Sequence, residues 1–344
     1  MNKEINLDRD KIDKIDKAII ELLGERKRIT DELISSKKEQ NLPVEDLQRE
    51  NNIVSNLQLF AKNTLSPELV KDIYSSIFRY NKINFLNQNI QKSELFEYLK
   101  SNKFIISGPC AVESLEQIDS IANKLKNIGI NLLRGGCFKP RTSPDSFQGL
   151  GTVGLEYLSK TAKKYSLYSV SEITSFYQWE MGFENIDIIQ IGSRNAMNFE
   201  LLKSIGKITA STQKPVILKR GFWMTISEFL SAANYIINEG NKSVILCLRG
   251  IRTFEQINSE FRFTPDLASI LELKAKTDLP IIFDPSHSAG DSKYVIQLAE
   301  AALELGADGL TIESHCSPEC ALSDAKQCVF PDSLIPLIEK ISKD

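Results

Sequence analysis

The sequence predicts a two-domain α/β protein, in which a small all-α domain of three helices precedes a (β/α)8 TIM barrel. Three observations predict it. The first ninety residues show helical periodicity only; from residue 104 onward, short apolar runs alternate with helical stretches; and there are eight such runs. Eight strand–helix units in about 240 residues match the size of a (β/α)8 barrel. An open doubly wound sheet is disfavoured by the count of eight, and no G-x-G-x-x-G follows the first strand.

Taken in order, Ile12, Ile15, Ile19, Leu22, Ile29 and Leu33 recur at steps of three and four, the mark of one long amphipathic helix over about 8–38. It ends before Pro43. A second helix opens near Val44 and carries Leu47, Ile53, Leu57 and Phe60. Ser66-Pro67-Glu68 starts a third with a capping serine, a proline in the first turn and an acid; its inner stripe is Leu69, Ile73, Ile77 and Tyr80. Three helices this thin bury little alone, so the domain is expected to pair with a second copy, giving a dimer or tetramer. The helical domain is placed at 1–88, a linker at 89–103 and the barrel at 104–344. Its strands are read at 104–107, 131–134, 167–172, 187–191, 215–219, 243–247, 280–283 and 309–312. Such unbroken apolar runs between helices mean parallel strands covered on the outside.

A formal net charge of −3 gives no reason to expect nucleic acid or an anionic membrane as partner. No run of about 18 apolar residues offers a membrane span, and the charged N-terminus has no signal-peptide core, so the expected location is the cytoplasm. Six cysteines without a C-x-x-C pair are read as free thiols. Cys110 is the exception, because of its position.

Active sites of such barrels are built from the loops after the strands. Those loops begin Gly-Pro-Cys110, Arg134-Gly-Gly, Glu172, Gly192-Ser193-Arg194, Lys219-Arg220-Gly, Arg249-Gly, Asp284-Pro-Ser-His287 and Glu313-Ser-His315. Arg presents a flat fork of donors suited to carboxylate and phosphate, and Lys a compact charge. Arg134, Lys139, Arg141, Arg194, Lys219 and Arg249 therefore predict a pocket for substrates with several negative charges. The chain has only two histidines, His287 and His315, and both follow the last two strands. Cys110, His287 and Glu313 would meet at the barrel mouth, with Asp324 able to join them. Thiolate, imidazole and carboxylate are all ligands for a divalent transition metal.

The stretches GPCAVES, LLRGGCFKPRTSPDSFQGLG, IIQIGSRN, LKRG, RGIRTFE, DPSHSAGDS and IESHCSPECALSD resemble the 3-deoxy-D-arabino-heptulosonate-7-phosphate (DAHP) synthases of the short-barrel subtype, over essentially all of 104–344. The resemblance implies condensation of phosphoenolpyruvate with erythrose 4-phosphate and water, with release of phosphate, the first step of the shikimate pathway. It implies a divalent metal, Mn2+ being the expectation, on Cys110, His287, Glu313 and Asp324. Phosphoenolpyruvate would be held by Arg134, Lys139, Arg194, Lys219 and Arg249, and the aldehyde substrate by Arg141 and Thr142. Lys139 is the expected proton-transfer residue near the aldehyde oxygen, with Cys110 and His287 in the catalytic set. The related synthases that use arabinose 5-phosphate are the alternative, and KPRTSP argues against them. Ser193, Leu248, Cys316 and Ala325 depart from the usual pattern without removing an expected ligand.

In the first helix Arg9, Arg26 and Lys37 fall in phase with the apolar stripe, and Arg26 and Lys37 lie roughly 16 Å apart along the axis. Inward cations need an anionic partner. With Asp46, Arg49 and Glu50, these residues resemble the active-site positions of the all-helical chorismate mutases over about 5–88. That implies binding of chorismate or prephenate, with Arg9 reaching across from a partner chain. Phe85 stands where the family places Gln or Glu, with Asn81 at the preceding polar position and Asn84 or Gln88 as substitutes if the helix is shifted. Loss of that hydrogen bond costs about 1.5–3 kcal/mol in the transition state. Weak or absent mutase turnover with anion binding retained is the expectation, and with it feedback control of the barrel. Two further possibilities are full bifunctionality and a domain that serves dimerisation alone.

Overall fold

The computed structural model describes residues 2–39, 47–62, 64–87, 93–139, 145–254 and 263–342, with side chains omitted at 2–7, 34–35, 38–39, 47 and 79–87. The chain forms two compact units, Met1–Asn89 and Ile90–Asp344.

The first unit holds α1 (Asn2–Glu39), α2 (Leu47–Phe60) and α3 (Pro67–Asn87). Helix α1 is longer than its apolar stripe predicts. Ser66 Oγ accepts from the Leu69 N–H at 3.2 Å, which caps α3 as its sequence indicates. The stripe of α1 lies largely in solvent within one chain: Ile15 is 59% exposed and Leu22 66%.

The second unit opens on a helix that the sequence reading leaves inside the linker. Helix α4 (Glu94–Ser101) is capped by Ser93, whose side chain accepts from the Phe96 N–H. Phe96 and Leu99 pack with Phe104, Ile106, Leu132, Val170, Ile188, Ile217, Ile245 and Ile282 in one cluster, so α4 plugs the N-terminal end of the barrel.

The strands are β1 (Phe104–Gly108), β2 (Leu132–Arg134), β3 (Tyr168–Ile173), β4 (Ile188–Ile191), β5 (Val216–Lys219), β6 (Val244–Leu248), β7 (Ile281–Phe283) and β8 (Gly309–Glu313). They pair in parallel in sequence order, and β8 closes on β1 through the register Gly108↔Glu313. Outward residues such as Ile105, Leu133, Ile189, Leu218, Leu246 and Ile312 pack under a surrounding layer of helices. These include α5 (Leu115–Asn127), α6 (Thr152–Lys164), α7 (Phe199–Thr209), α8 (Ile226–Ile237), α9 (Ala268–Lys276), α10 (Pro285–Ala289), α11 (Val295–Glu304) and α12 (Ile335–Ile341). The β3–β4 connection differs from expectation. It is built of two short 3-10 turns, Phe176–Met181 and Phe183–Asn185, hinged at Gly182 with φ +121°. That backbone region suits glycine and breaks an α-helix.

Strand residues alternate between faces. Below, the inward positions are apolar; at the C-terminal ends the same alternation turns Arg134, Glu172, Gln190, Lys219 and Glu313 into the barrel mouth. The fold thus places a polar layer directly above an apolar plug.

Candidate active site

Glu313 ends β8 fully buried, and its backbone N–H donates to Ser286 Oγ at 2.9 Å. Its Oε1 accepts from Arg134 Nη1 at 3.0 Å and lies 3.5 Å from His287 Nε2; Gln327 Nε2 donates to Oε2 at 2.5 Å. Cys110, in the loop after β1, sets its Sγ 3.1 Å from Asp324 Oδ2 and 2.9 Å from Ser323 Oγ. Asp324 Oδ2 is 3.8 Å from His287 Nε2. Ligand atoms of Cys110, Glu313 and Asp324 all lie within 4.8 Å of one another, and His287 closes the set through both carboxylates. Of the four residues expected to meet, Cys110, Glu313 and Asp324 form one cluster, and His287 stands beside its two carboxylates. Asp324 sits in the left-handed region at φ 53°, a strain that ordinary residues adopt where surrounding contacts hold them.

Asp284 is the group that sequence reasoning left without a role. It N-caps α10 ahead of Pro285, accepting from the His287 N–H at 2.9 Å through Oδ1. Its Oδ2 accepts from Lys219 Nζ at 2.5 Å and from His287 Nδ1 at 2.8 Å. With Nδ1 bonded to a carboxylate, the imidazole keeps its Nε2 lone pair for the cluster of Cys110, Glu313 and Asp324. Burial opposes the charge on Asp284, yet His287 and Lys219 hold its carboxyl well below the usual range.

Lys139 donates from Nζ to Cys110 O and Sγ, both at 3.0 Å. Burial works against its charge, and Cys110, Glu172 and Glu313 outweigh that and raise it. Arg134 is raised likewise, with Glu313 overcoming burial. Burial, reinforced by Glu313, pushes the Cys110 thiol up to about 12. The free thiol is therefore protonated, and a bound cation would draw off that proton. Gly136 has no room for a side chain, because a Cβ there would meet the Cys110 carbonyl oxygen at 2.6 Å, and a Cβ at Gly192 would meet Glu172 Oε1 at 2.0 Å and displace that carboxylate.

Lys219 and Arg249 are buried in the mouth, at 4% and 5% exposure. Arg249 lies over the Phe263 ring at 4.0 Å and the Phe222 ring at 4.9 Å. Arg194 is exposed on the rim, 5.9 Å from the Phe222 ring. Arg141 and Thr142 lie outside the described residues. The donor set (one thiol, one imidazole and two carboxylates) fits a divalent transition metal, with three to four cations beside it for an anionic substrate.

In the helical unit, Arg26 is half-buried, with its guanidinium 5.6 Å from the Phe78 ring and 5.9 Å from the Tyr74 ring. Aromatic faces of α3 therefore receive this inward cation. Lys37 and Glu50 are half-buried, and Arg9 and Arg49 exposed. Asp46 and Gln88, and the side chains of Asn81, Asn84 and Phe85, lie outside what the structure describes.

A plugged parallel barrel with buried cations and a metal-type cluster at its mouth defines a barrel enzyme acting on small anions. Residues 99–343 match the model of the DAHP synthetase I family, and the chain belongs to that family. Residues 8–83 match the chorismate mutase type II model, so a chorismate-mutase-like helical domain is fused ahead of the barrel. The phospho-2-dehydro-3-deoxyheptonate aldolase of Thermotoga maritima is 48% identical over 239 residues, 70% of this chain and 69% of that protein. A 2-dehydro-3-deoxyphosphooctonate aldolase of Helicobacter hepaticus is 30% identical over 269 residues, 69% of this chain and 94% of that one. The crystal structure of the Thermotoga maritima DAHP synthase superposes with a TM-score of 0.65 at 46% identity, over 70% of this chain and 68% of that chain. The barrel thus carries aldol condensation chemistry of the DAHP synthase type. Among the described residues, no helix is long and apolar enough to cross a membrane.

Proposed function

We propose that the barrel condenses phosphoenolpyruvate with erythrose 4-phosphate and water, giving DAHP and phosphate. The observation that carries this is the meeting of Cys110, His287, Glu313 and Asp324 beside Arg134, Lys139 and Lys219 in one mouth. Those four residues would hold a divalent cation, Mn2+ in our reading, which supplies a Lewis acid for the aldehyde oxygen. Arg134, Lys219, Arg249 and rim-exposed Arg194 bind the phosphate and carboxylate of phosphoenolpyruvate and orient its enol carbon. Lys139, poised against Cys110, delivers a proton to the aldehyde oxygen as the new carbon–carbon bond forms. Water then adds at the former enol C2, and the phosphate leaves from that carbon. Arg141 and Thr142 hold the aldehyde substrate.

The relatives divide between two sugar-phosphate chemistries, and KPRTSP favours the four-carbon aldehyde. The test is phosphate release from phosphoenolpyruvate with erythrose 4-phosphate or arabinose 5-phosphate. Turnover with the first alone is expected, and preference for the second overturns the assignment.

The helical domain, in our reading, binds chorismate or prephenate at Arg9, Arg26, Lys37, Asp46, Arg49 and Glu50, lowers barrel activity and turns over weakly. Its half-exposed α1 stripe supports a homo-oligomer, with Arg9 contributed by the partner. This is allostery in the strict sense of two sites with one coupling energy. Inhibition of phosphate release by prephenate, with slow chorismate loss, is expected. Rapid chorismate turnover favours a bifunctional enzyme, and neither effect leaves a dimerisation module. We place the protein in the cytoplasm.

A further inference from the structure

We infer that Gln327 is a positioning residue for the carboxylate of Glu313, and that the turn carrying it, 323–328, braces the metal cluster from one side. The inference rests on the metal-site reading above. The two oxygens of Glu313 are used differently. Oε1 faces Arg134 and His287, while Oε2 accepts from the side-chain amide of Gln327. Gln327 is itself only 2% exposed, and an amide is buried at that depth only when it is bonded. Being neutral, it fixes the direction of the carboxylate without offsetting the charge a cation needs.

The same turn reaches the other ligands. Ser323 Oγ lies 2.9 Å from Cys110 Sγ, and Asp324 lies against both Cys110 and His287. The turn is tied to the end of β8 by backbone bonds, Val329 N–H to Glu313 O and His315 N–H to Val329 O, both 3.0 Å. One short segment thus supplies Asp324, contacts the other three cluster residues, and holds Asp324 in its left-handed backbone.

The alternative partner for Glu313 is Arg134, already 3.0 Å from Oε1. Without the Gln327 donor the carboxylate is free to rotate and share both oxygens with that guanidinium. A cation must then compete with the arginine. Outer partners of metal ligands change affinity by about 10–100-fold.

The experiment measures Mn2+ dissociation constants by chelator competition on the full chain. The proteins are wild type, Gln327→Met, which removes the donor at similar volume, Gln327→Asn, which keeps the amide but shortens its reach, and Cys110→Ala as a control for the site. We expect both Gln327 variants to bind Mn2+ about 10–100-fold more weakly, with far-UV circular dichroism unchanged. The constant is read on each variant separately, so misfolding of one leaves the other decisive. A wild-type constant in either folded variant, while Cys110→Ala loses binding, overturns the role of Gln327 and leaves the metal site standing. Absence of Mn2+ binding in wild type overturns the metal site, and the inference with it.

Discussion

Replacing Asp284 by asparagine isolates one charge on which two predicted functions depend. The carboxylate is fully buried and takes the Lys219 ammonium at 2.5 Å, His287 Nδ1 at 2.8 Å and the His287 backbone N–H at 2.9 Å. Asparagine keeps the shape, but it cannot accept all three bonds or supply a counter-charge. Lys219, 4% exposed, becomes a buried cation without its carboxylate, which costs about 3–5 kcal/mol. His287 loses the acceptor that fixes its tautomer, so Mn2+ affinity should fall about 10–100-fold. Denaturant unfolding and chelator competition read the two effects. The double variant Asp284→Asn/Lys219→Met removes the orphaned ammonium, so it should regain most of the stability while metal binding stays weak. An Asp284→Asn protein as stable as wild type, or a double variant no better than the single, refutes this reasoning.

Gly192→Ala should lower phosphate release at least about tenfold, because its Cβ would stand 2.0 Å from Glu172 Oε1 and must drive that carboxylate from the mouth; steady-state kinetics at full folding check it. A pH effect is expected far from the site, at Lys214, whose Nζ donates to Glu184 O at 2.7 Å and Ile186 O at 2.5 Å beside the Trp179 ring. Burial pushes this lysine down from 10.5 to about 8, against Asp187 and Glu184. Its folded value lies below its unfolded one, so the unfolded chain holds the extra proton between pH 8 and 10.5. Stability should rise across that window by at most about 3 kcal/mol from this group. Gln213 and Asn241 hold the neighbouring backbone in place, so Lys214→Met should fold and lack the rise in denaturant titrations. Leu99→Ala, which opens the plug under the barrel, should cost about 2–5 kcal/mol in the same assay.

Much of this architecture is written in apolar periodicity. Runs such as Val244–Leu248 and Ile281–Phe283 are buried along their whole length, and that burial leaves an unbroken apolar signature. Helix α4 is barely two turns long, too short to carry a periodic stripe; its signal in the sequence is Ser93 ahead of Glu94, with Phe96 and Leu99 three apart. The residues that meet at the mouth were legible because the barrel gathers strand ends onto one rim, whatever their separation in the chain. Their partners were not. Asp284 reads locally as a helix cap before proline, and nothing near it in sequence announces Lys219, 65 positions away. Gln327 and Ser323 likewise acquire meaning only once their turn folds back over Cys110 and Glu313. In the helical unit the inward position of Arg26 was readable from phase alone, but the rings it meets came from α3, another helix.

Phosphate release from phosphoenolpyruvate and erythrose 4-phosphate, before and after exhaustive chelation and again on adding Mn2+ back, tests the central claim most directly. A fall to background that one equivalent of Mn2+ per chain reverses is the expected result. Undiminished turnover by protein shown to be free of metal would mean that the thiol, the imidazole and the two carboxylates gather at the mouth for some other purpose.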